Sequence, residues 1–528
     1  MLKYLLKRLL HGLISVIIVV AIVMVLIYSL LDRNLVFSSD SVYSKTQNNA
    51  KIVYKYSKWE EYGYLDYVTY SDFLDESEKN GSLDSNIRNE VKNFSNKSKD
   101  DYKLSDLNQE WINKFRTTYE RKGYTVTRLD VVYQSGTKIA TGGQKQYFAY
   151  KDKPLISRIL SYFGGLITID NIHNAKGDIE NRGIKFTWFD PAYGGDVFAP
   201  AIMGNGTTHK YLLYFDNKFP FVHQNLISIN LGVSYSINQG VDITSTMFDS
   251  QGQISKSEVI YPSGIKEKTA DNIHSLTYQQ GSYDAGLETV KNYYIDDYTN
   301  VKTNKAGLSK TGYSFTIGII SVFITYLLGV PLGILMARKK DKIQDKIGTI
   351  YIVFIMAVPS LAYIFMFKSI GGSVFNLPTI FNTDSNNVLM YFLPIISLAL
   401  PSMASIMKWL RRYMIDQMSS DYVKFARSGG LSESEIFRGH ILKNAAIPLV
   451  HGIPSAVVGS LIGAVITEAV YTVPGTGGLL TDAIKKYDNG VIIGLTLFYA
   501  ILSIISLILG DILMSLVDPR ISFQTKGR

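Results

Sequence analysis

Two carboxylates sit inside long apolar runs of this 528-residue chain, Glu468 near one end of its run and Asp511 within another. An ionisable group at membrane depth is costly and is a functional candidate by default. Each has a structural alternative. Glu468 could be a headgroup-level charge facing water, and Asp511 could accept an interhelical hydrogen bond or pair with a cation such as Lys408. His11 and His451 read as marking helix ends rather than as proton relays. The polar segment Asp421–Pro448, DYVKFARSGGLSESEIFRGHILKNAAIP, offers recognition instead of bond-making. Asp421 can cap a short helix with Tyr422, Phe425 and Ala426 on one face, and Gly429 and Gly430 stop it. Ser432 and Glu435 then form an S-x-x-E capping box for a second helix. An aromatic-faced helix standing out of a membrane needs something to dock into. The alternative is that Tyr422 and Phe425 pack back onto the chain's own spans.

Bond-making patterns are lacking. No Ser-His-Asp, paired-carboxylate or G-x-x-x-x-G-K-[ST] pattern stands out, so energy for uphill movement would come from another protein. There is no cysteine, which excludes disulfides and Cys-based metal sites, and the seven histidines show no H-x-x-x-H spacing. Asn93-Phe-Ser, Asn96-Lys-Ser and Asn205-Gly-Thr match a glycosylation sequon too short to carry weight.

The elements that must position these groups are membrane spans. Leu9–Leu31 is 23 residues without a charge, preceded by Lys3, Lys7 and Arg8, and reads as an uncleaved anchor. Further apolar runs at 313–336, 347–367, 389–407, 446–470 and 491–516 give six spans, with Pro359, Pro394, Pro401 and Pro454 in or near them. Cations cluster after the second span (Arg338, Lys339, Lys340, Lys342, Lys346), after the fourth (Lys408, Arg411, Arg412, Lys424, Arg427, Arg438, Lys443), and in the tail (Arg520, Lys526, Arg528). Both termini are therefore expected to be cytoplasmic. The formal charge of +9 lies wholly in the membrane portion, because residues 32–310 hold 33 cationic and 33 acidic side chains. A neutral domain argues against a nucleic-acid partner. Within it, helical periodicity near Leu104–Lys122, alternation over Tyr124–Tyr133 and Gln146–Tyr150, and loops at Pro191–Asp196 and Gly204–Thr208 indicate an extracytoplasmic α+β domain. Pro154–Leu166 and Phe219–Leu231 look like short amphipathic helices, lying on the outer leaflet, at the span mouths, or in an ordinary core.

At this point several short runs agree with a family. Asp421–Pro448 resembles the EAA loop of ATP-binding-cassette importer permeases, and more closely the B-type subunit of the oligopeptide/dipeptide branch. Tyr4–Leu10, Gly329-Val-Pro-Leu-Gly333 with Ala337-Arg338, and Val358-Pro-Ser360 resemble that branch's first three spans. Asp421-Tyr-Val, Ala426-Arg427, Gly430-Leu-Ser432, His440, Asn444-Ala445 and Pro448 match its loop. Thr467-Glu468 with Pro474-Gly475-x-Gly477 resembles its fifth span and the following turn, and Asp518-Pro-Arg-Ile521 its C-terminal signature. There are departures: Asp32-Arg33-Asn34 replaces the usual Pro-Gly-Asp-Pro, Lys424 stands where the EAA glutamate would be, and the first outer loop is far longer. Leu231-Gly-Val-Ser234 resembles the branch's L-G-x-S loop, with extra sequence on both sides. The arrangement is similar to the enlarged B-type subunits of streptococcus-like Gram-positive peptide importers.

The resemblance implies an α-helical polytopic membrane protein of the type I importer permease fold. Its parts would be a first helix over 1–31, a large inserted α+β domain over 32–310 and a five-helix core over 311–528 with a coupling loop at 419–448. It implies a non-catalytic permease of an ATP-driven oligopeptide importer in the plasma membrane of a Gram-positive bacterium, forming half of the pore. Its partners would be a second, C-type permease, two ATPases that carry the ATP and magnesium, a lipid-anchored peptide-binding protein, and membrane lipid. Asp421, Tyr422, Phe425, Ala426, Arg427, Gly430, Leu431, Ser432, Glu435, His440 and Pro448 would couple to an ATPase. Glu468, Asp511, Pro359, Pro474 and Gly475 are candidates for the translocation path. The alternatives are a permease for dipeptides, nickel chelates or other small solutes, or a peptide-sensing receptor, for which the nine residues after Pro519 leave no output domain.

Overall fold

The uncharged run Leu9–Leu31 falls almost wholly within one helix, Leu2–Leu30, whose Val16, Val20, Met24 and Ile27 recur at helical spacing and are buried. Their cover is the last long helix, Asn489–Val517, with which they share one apolar cluster. The computed structural model describes residues 2–92, 105–129, 133–134, 138–139, 147–216, 219–279, 298–385 and 387–517. The sequons at Asn93 and Asn96, the Asp518–Ile521 signature, and Arg520, Lys526 and Arg528 lie outside them.

Among the described residues, five helices are long and apolar enough to cross a membrane: Lys3–Leu30, Lys310–Arg338, Val388–Met418, Glu433–Tyr471 and Asn489–Val517. The expected third span is not one straight helix. It is a pair, Ile343–Ala357 and Ser360–Ser373, bent by 110°. Val358 has the extended backbone imposed on a residue before proline (φ −85°, ψ 131°), and Pro359 has no N–H to continue the first helix. Tyrosine and threonine hydroxyls then tie the spans to neighbouring carbonyls: Thr325 to Ala399 (3.2 Å), Tyr326 to Leu449 (3.2 Å) and Tyr351 to Leu400 (2.6 Å).

Between the first two spans lies the α+β region. Leu65–Thr69, Tyr147–Asp152 and Thr125–Arg128 form an antiparallel sheet in that order. Helices Tyr70–Lys79 and Asp106–Arg121 cover one face with Leu74, Trp111 and Phe115, and Asn48–Glu61 covers the other with Tyr56 against Tyr67 and Phe148. A second antiparallel sheet runs Gly183–Phe189, Phe198–Asn205, Tyr211–Phe215, Val222–Gln224. Pro154–Leu166 contains a helix, Leu155–Gly164. Phe219–Leu231 does not. It holds two short strands, Val222–Gln224 paired with Tyr211–Phe215 and Ile227–Ile229 paired with Ile167–Ile169. A hairpin with the preceding strand and pairing to the distant Ile167–Ile169 overrode a helical pattern spread over too few residues to nucleate alone.

One joint fastens this region to the spans. Asp488, fully buried just before the last helix, accepts hydrogen bonds from Ser234 Oγ (2.6 Å) and from the backbone N–H groups of Tyr235 (2.8 Å), Ser236 (3.0 Å) and Ile237 (3.0 Å). It also accepts from Val491 N–H (3.2 Å) at the start of that helix. Ser234 closes the L-G-x-S run, whose Leu231 is buried among the first and last spans. Around the carboxylate, Tyr62 and Tyr235 stack at 3.9 Å, and Asn489 Nδ2 donates to Tyr64 Oη (3.0 Å).

Candidate functional site

The polar segment Asp421–Pro448 begins just after the helix Phe392–Met418 ends. Asp421–Ser428 is a helix, but Asp421 is not its cap. Ser420 takes that position and turns its hydroxyl back to the Gln417 carbonyl (2.6 Å), while Asp421, the first helical residue, pairs with Lys424 (2.8 Å). The aromatic face divides. Val423 is fully buried, and Tyr422 and Ala426 pack against Ala337, Leu410, Met414 and Ile441. Tyr422 Oη donates to Gln417 Oε1 (2.6 Å), and its ring lies 6.2 Å from that of His440. Phe425 alone stands clear, 77 % exposed.

The helix ends as its glycines suggest. Gly430 has φ +84°, and no atom lies within 4 Å of where its Cβ would be. Its requirement is the left-handed backbone, not space. The Leu431 N–H returns to the Ala426 carbonyl (3.2 Å), leaving the Leu431 side chain exposed. Ser432 and Glu435 make the capping box in both directions. Arg427 adds a two-pronged bond to Glu433 (2.6 and 3.2 Å), strapping the first helix to the start of the second. The second helix is not a separate loop helix. It continues through a π turn, Phe437–Leu442, which contains His440, into the fifth span, so that Glu433–Tyr471 is one 39-residue body with Pro448 and Pro454 inside it. Arg338 lies over the Phe437 ring at 4.7 Å, and Arg411 grips Asp345 at 2.6 and 2.7 Å, bracing the neighbouring helices.

Deeper in the bundle, a cavity of about 520 Å³ opens among the second to fifth spans. Hydroxyl groups line it: Thr325, Tyr326, Ser360, Tyr363, Ser397, Ser402, Ser405, Ser460 and Thr467, with aliphatic side chains between them and no charged residue. Thr325, Tyr326, Ser402 and Ser460 already donate to backbone carbonyls, so what they offer a passing amide is an acceptor for its N–H. These residues were missed in the sequence, where isolated serines and threonines within apolar runs carry no signal of a shared surface. Of the path candidates, Pro359 starts the half-helix whose Ser360 reaches the cavity.

Glu468 does not line that cavity, and it does not face water. It is 1 % exposed and accepts from Ser314 Oγ (2.6 Å) and the Gly478 N–H (2.9 Å). Ser314 Oγ in turn accepts the Thr476 N–H (2.9 Å). Glu468 therefore holds the N-terminus of the helix Thr476–Lys485, where a negative charge is favoured by the helix dipole. Pro474 and Gly475 form the turn into that helix. A Cβ on Gly475 would run into the Glu468 carboxylate.

Asp511 pairs with Arg8 (2.5 Å) and accepts from Tyr4 Oη (3.2 Å), both in the first helix. Lys408 is not its partner; that ammonium lies 3.8 Å from Met356 Sδ. The histidines also differ from expectation. His11 and His451 are in helix interiors, and His451 Nδ1 lies 3.9 Å from Asp511. Nothing in the sequence around Asp511 indicated which helix would bring a cation to it.

Comparison with known proteins gives concordant matches. Residues 329–523 match the family model of the binding-protein-dependent transport system inner membrane component. Over 534 aligned residues, spanning all of both chains, the sequence is 35 % identical to the oligopeptide transport system permease protein AmiC of Streptococcus pneumoniae serotype 4. It is 31 % identical over 226 residues to the dipeptide transport system permease protein DppB of Lactococcus lactis subsp. cremoris, covering 42 % of this chain and 73 % of that one. Among solved structures, a chain of an amino acid ABC transporter overlays 40 % of this chain with a TM-score of 0.31 and 17 % identity, a likeness too slight to argue from.

Proposed function

This chain belongs to the family of binding-protein-dependent transport system inner membrane components, and we propose that it is the permease subunit of an ABC importer whose cargo is oligopeptides. It is a multi-pass membrane protein and a non-catalytic subunit, with ATPase and binding-protein partners of the general kind that this family uses. The full-length likeness to an oligopeptide permease supports oligopeptides over dipeptides or nickel chelates. In this reading both termini are cytoplasmic and residues 32–310 lie outside. The chain forms half of the pore with a second, C-type permease above two ATPases, and a lipid-anchored binding protein delivers peptide to the outer face of a Gram-positive cell.

The observation that carries the coupling role is Phe425, a large apolar side chain left exposed on a helix that its own chain otherwise braces. It would enter a groove of one ATPase. Movement of that ATPase would pass through the Arg427–Glu433 strap into Glu433–Tyr471, a body about 58 Å long at 1.5 Å per residue. Ala456, Gly459 and Ser460 on this body border the cavity, and Glu468 near its far end holds Thr476–Lys485. One continuous helical element would thus join the nucleotide-driven step to both the cavity wall and the helix beside its outer end, biasing two conformations.

Phe425→Asp tests this. Losing an anchor of this kind costs about 2–4 kcal/mol of association, so ATPase recovery with the purified chain should fall about 30-fold or more. Insertion and thermal unfolding of the chain should not change, because Phe425 contributes little to its own core. Unchanged recovery of ATPase and unchanged peptide uptake would refute the coupling role.

A further inference from the structure

The helix Leu155–Gly164 has two apolar sides and only one of them is covered. Ile159, Tyr162 and Phe163 pack into the cluster shared by the first and last spans. On the flank beside that face Ile156 is 72 % exposed and Leu160 is 66 % exposed. No carboxylate occurs between Lys153 and Ile169, while Lys153 and Arg158 are cationic.

Its depth can be read from its neighbours. A bilayer core of about 30 Å takes about 20 helical residues. Counted from Leu9, the first uncharged residue after Lys7 and Arg8, that distance ends near Tyr28, a residue type favoured at the membrane interface. The Arg158 guanidinium sits 3.4 Å from the centre of the Tyr28 ring. One turn further on, Ser161 and Tyr162 border a small cavity that runs from Glu61, Lys153, Arg158 and Tyr28 to Met24 and Ile493. Met24 lies four residues, about 6 Å, inside the Tyr28 level. Leu160 therefore falls between the interface and the first hydrocarbon layer.

We infer that Leu155–Gly164 is an interfacial helix, with Ile156 and Leu160 immersed in the acyl chains of the leaflet on the domain's side. Its inner face continues the surface of two membrane-spanning helices, so the solvent met by its outer face at that depth is lipid. Arg158, stacked between Tyr28 and Tyr64, holds the cationic end at headgroup level. The inserted domain is then moored to the bilayer directly, in addition to its connecting chains and the Asp488 joint.

The chain has no cysteine, which permits a direct test. Leu160→Cys and Ile156→Cys, each in the assembled transporter reconstituted into liposomes, are spin-labelled, with the unsubstituted complex as the blank. Leu13→Cys, exposed on the first span, serves as the lipid reference, and Lys79→Cys, exposed in the inserted domain, as the aqueous reference. Oxygen should relax the labels at 156 and 160 in the same ratio to a water-soluble nickel chelate as at 13, the reverse of the ratio at 79. A ratio equal to that at 79 would put the helix in water. Access to neither relaxant would mean that another subunit covers it. Either result overturns the inference, and the Leu13 reference reports separately on whether the chain spans the membrane.

Discussion

Replacing Asp488 by asparagine should loosen the joint between the inserted domain and the last span while leaving the bundle intact. The carboxylate divides its work between two oxygens. Oδ2 accepts from Ser234 Oγ, Ser236 N–H and Ile237 N–H, and Oδ1 accepts from Tyr235 N–H and Val491 N–H. An amide has one acceptor oxygen. Placed to keep the three Oδ2 bonds, it points its NH2 at the Tyr235 and Val491 N–H groups, stranding two buried donors. Each stranded donor costs about 1–3 kcal/mol, so the substitution weakens the joint by about 2–6 kcal/mol. At 1.36 kcal/mol per tenfold, even about 3 kcal/mol raises the population of the locally open joint about 150-fold. Amide hydrogen exchange in the purified transporter reads this directly. Peptides covering 231–240 should exchange about two orders of magnitude faster, and those from 392–418 should not change. Asp482→Asn, an exposed carboxylate in the preceding helix, is the control. Unchanged protection at 234–237 would refute the reasoning, and an equal loss everywhere would show that Asp488 supports the whole fold instead of the joint.

Two further outcomes follow from the site. Gly430→Val should lower peptide uptake while membrane insertion persists. Gly430→Asn should retain more uptake, because the demand at φ +84° is conformational, about 1–2 kcal/mol for most side chains, more for a β-branched one and less for asparagine; uptake unchanged in the valine variant would refute the turn's role. Arg8→Ala should destabilise the purified chain by about 3 kcal/mol by leaving Asp511 buried and unpaired, and adding Asp511→Asn should restore most of that loss. Thermal unfolding in detergent checks the pair, and strictly additive losses would exclude Arg8 as the partner.

What could be read from the sequence alone was set by short-range physics. A charge-free run longer than the bilayer core must become a buried or lipid-facing helix, so the spans stood out, whereas the 110° break at Pro359 did not, because proline is also tolerated inside membrane helices. The Ser432–Glu435 box and the left-handed Gly430 were legible for the same reason, since their partners lie within a few residues. The tertiary structure alone decided whatever depended on distant partners. It turned Tyr422 inward and left Phe425 exposed, aimed Glu468 at Ser314 and Thr476–Lys485 instead of the cavity, and gave Asp511 to Arg8 instead of Lys408. It made a strand of Ile227–Ile229 by pairing it with the sequence-distant Ile167–Ile169. It also joined Ser234 to Asp488 across 254 positions of chain. A buried carboxylate must find donors somewhere, and the sequence states that need clearly, but only packing determines which of many equally polar side chains arrives to meet it.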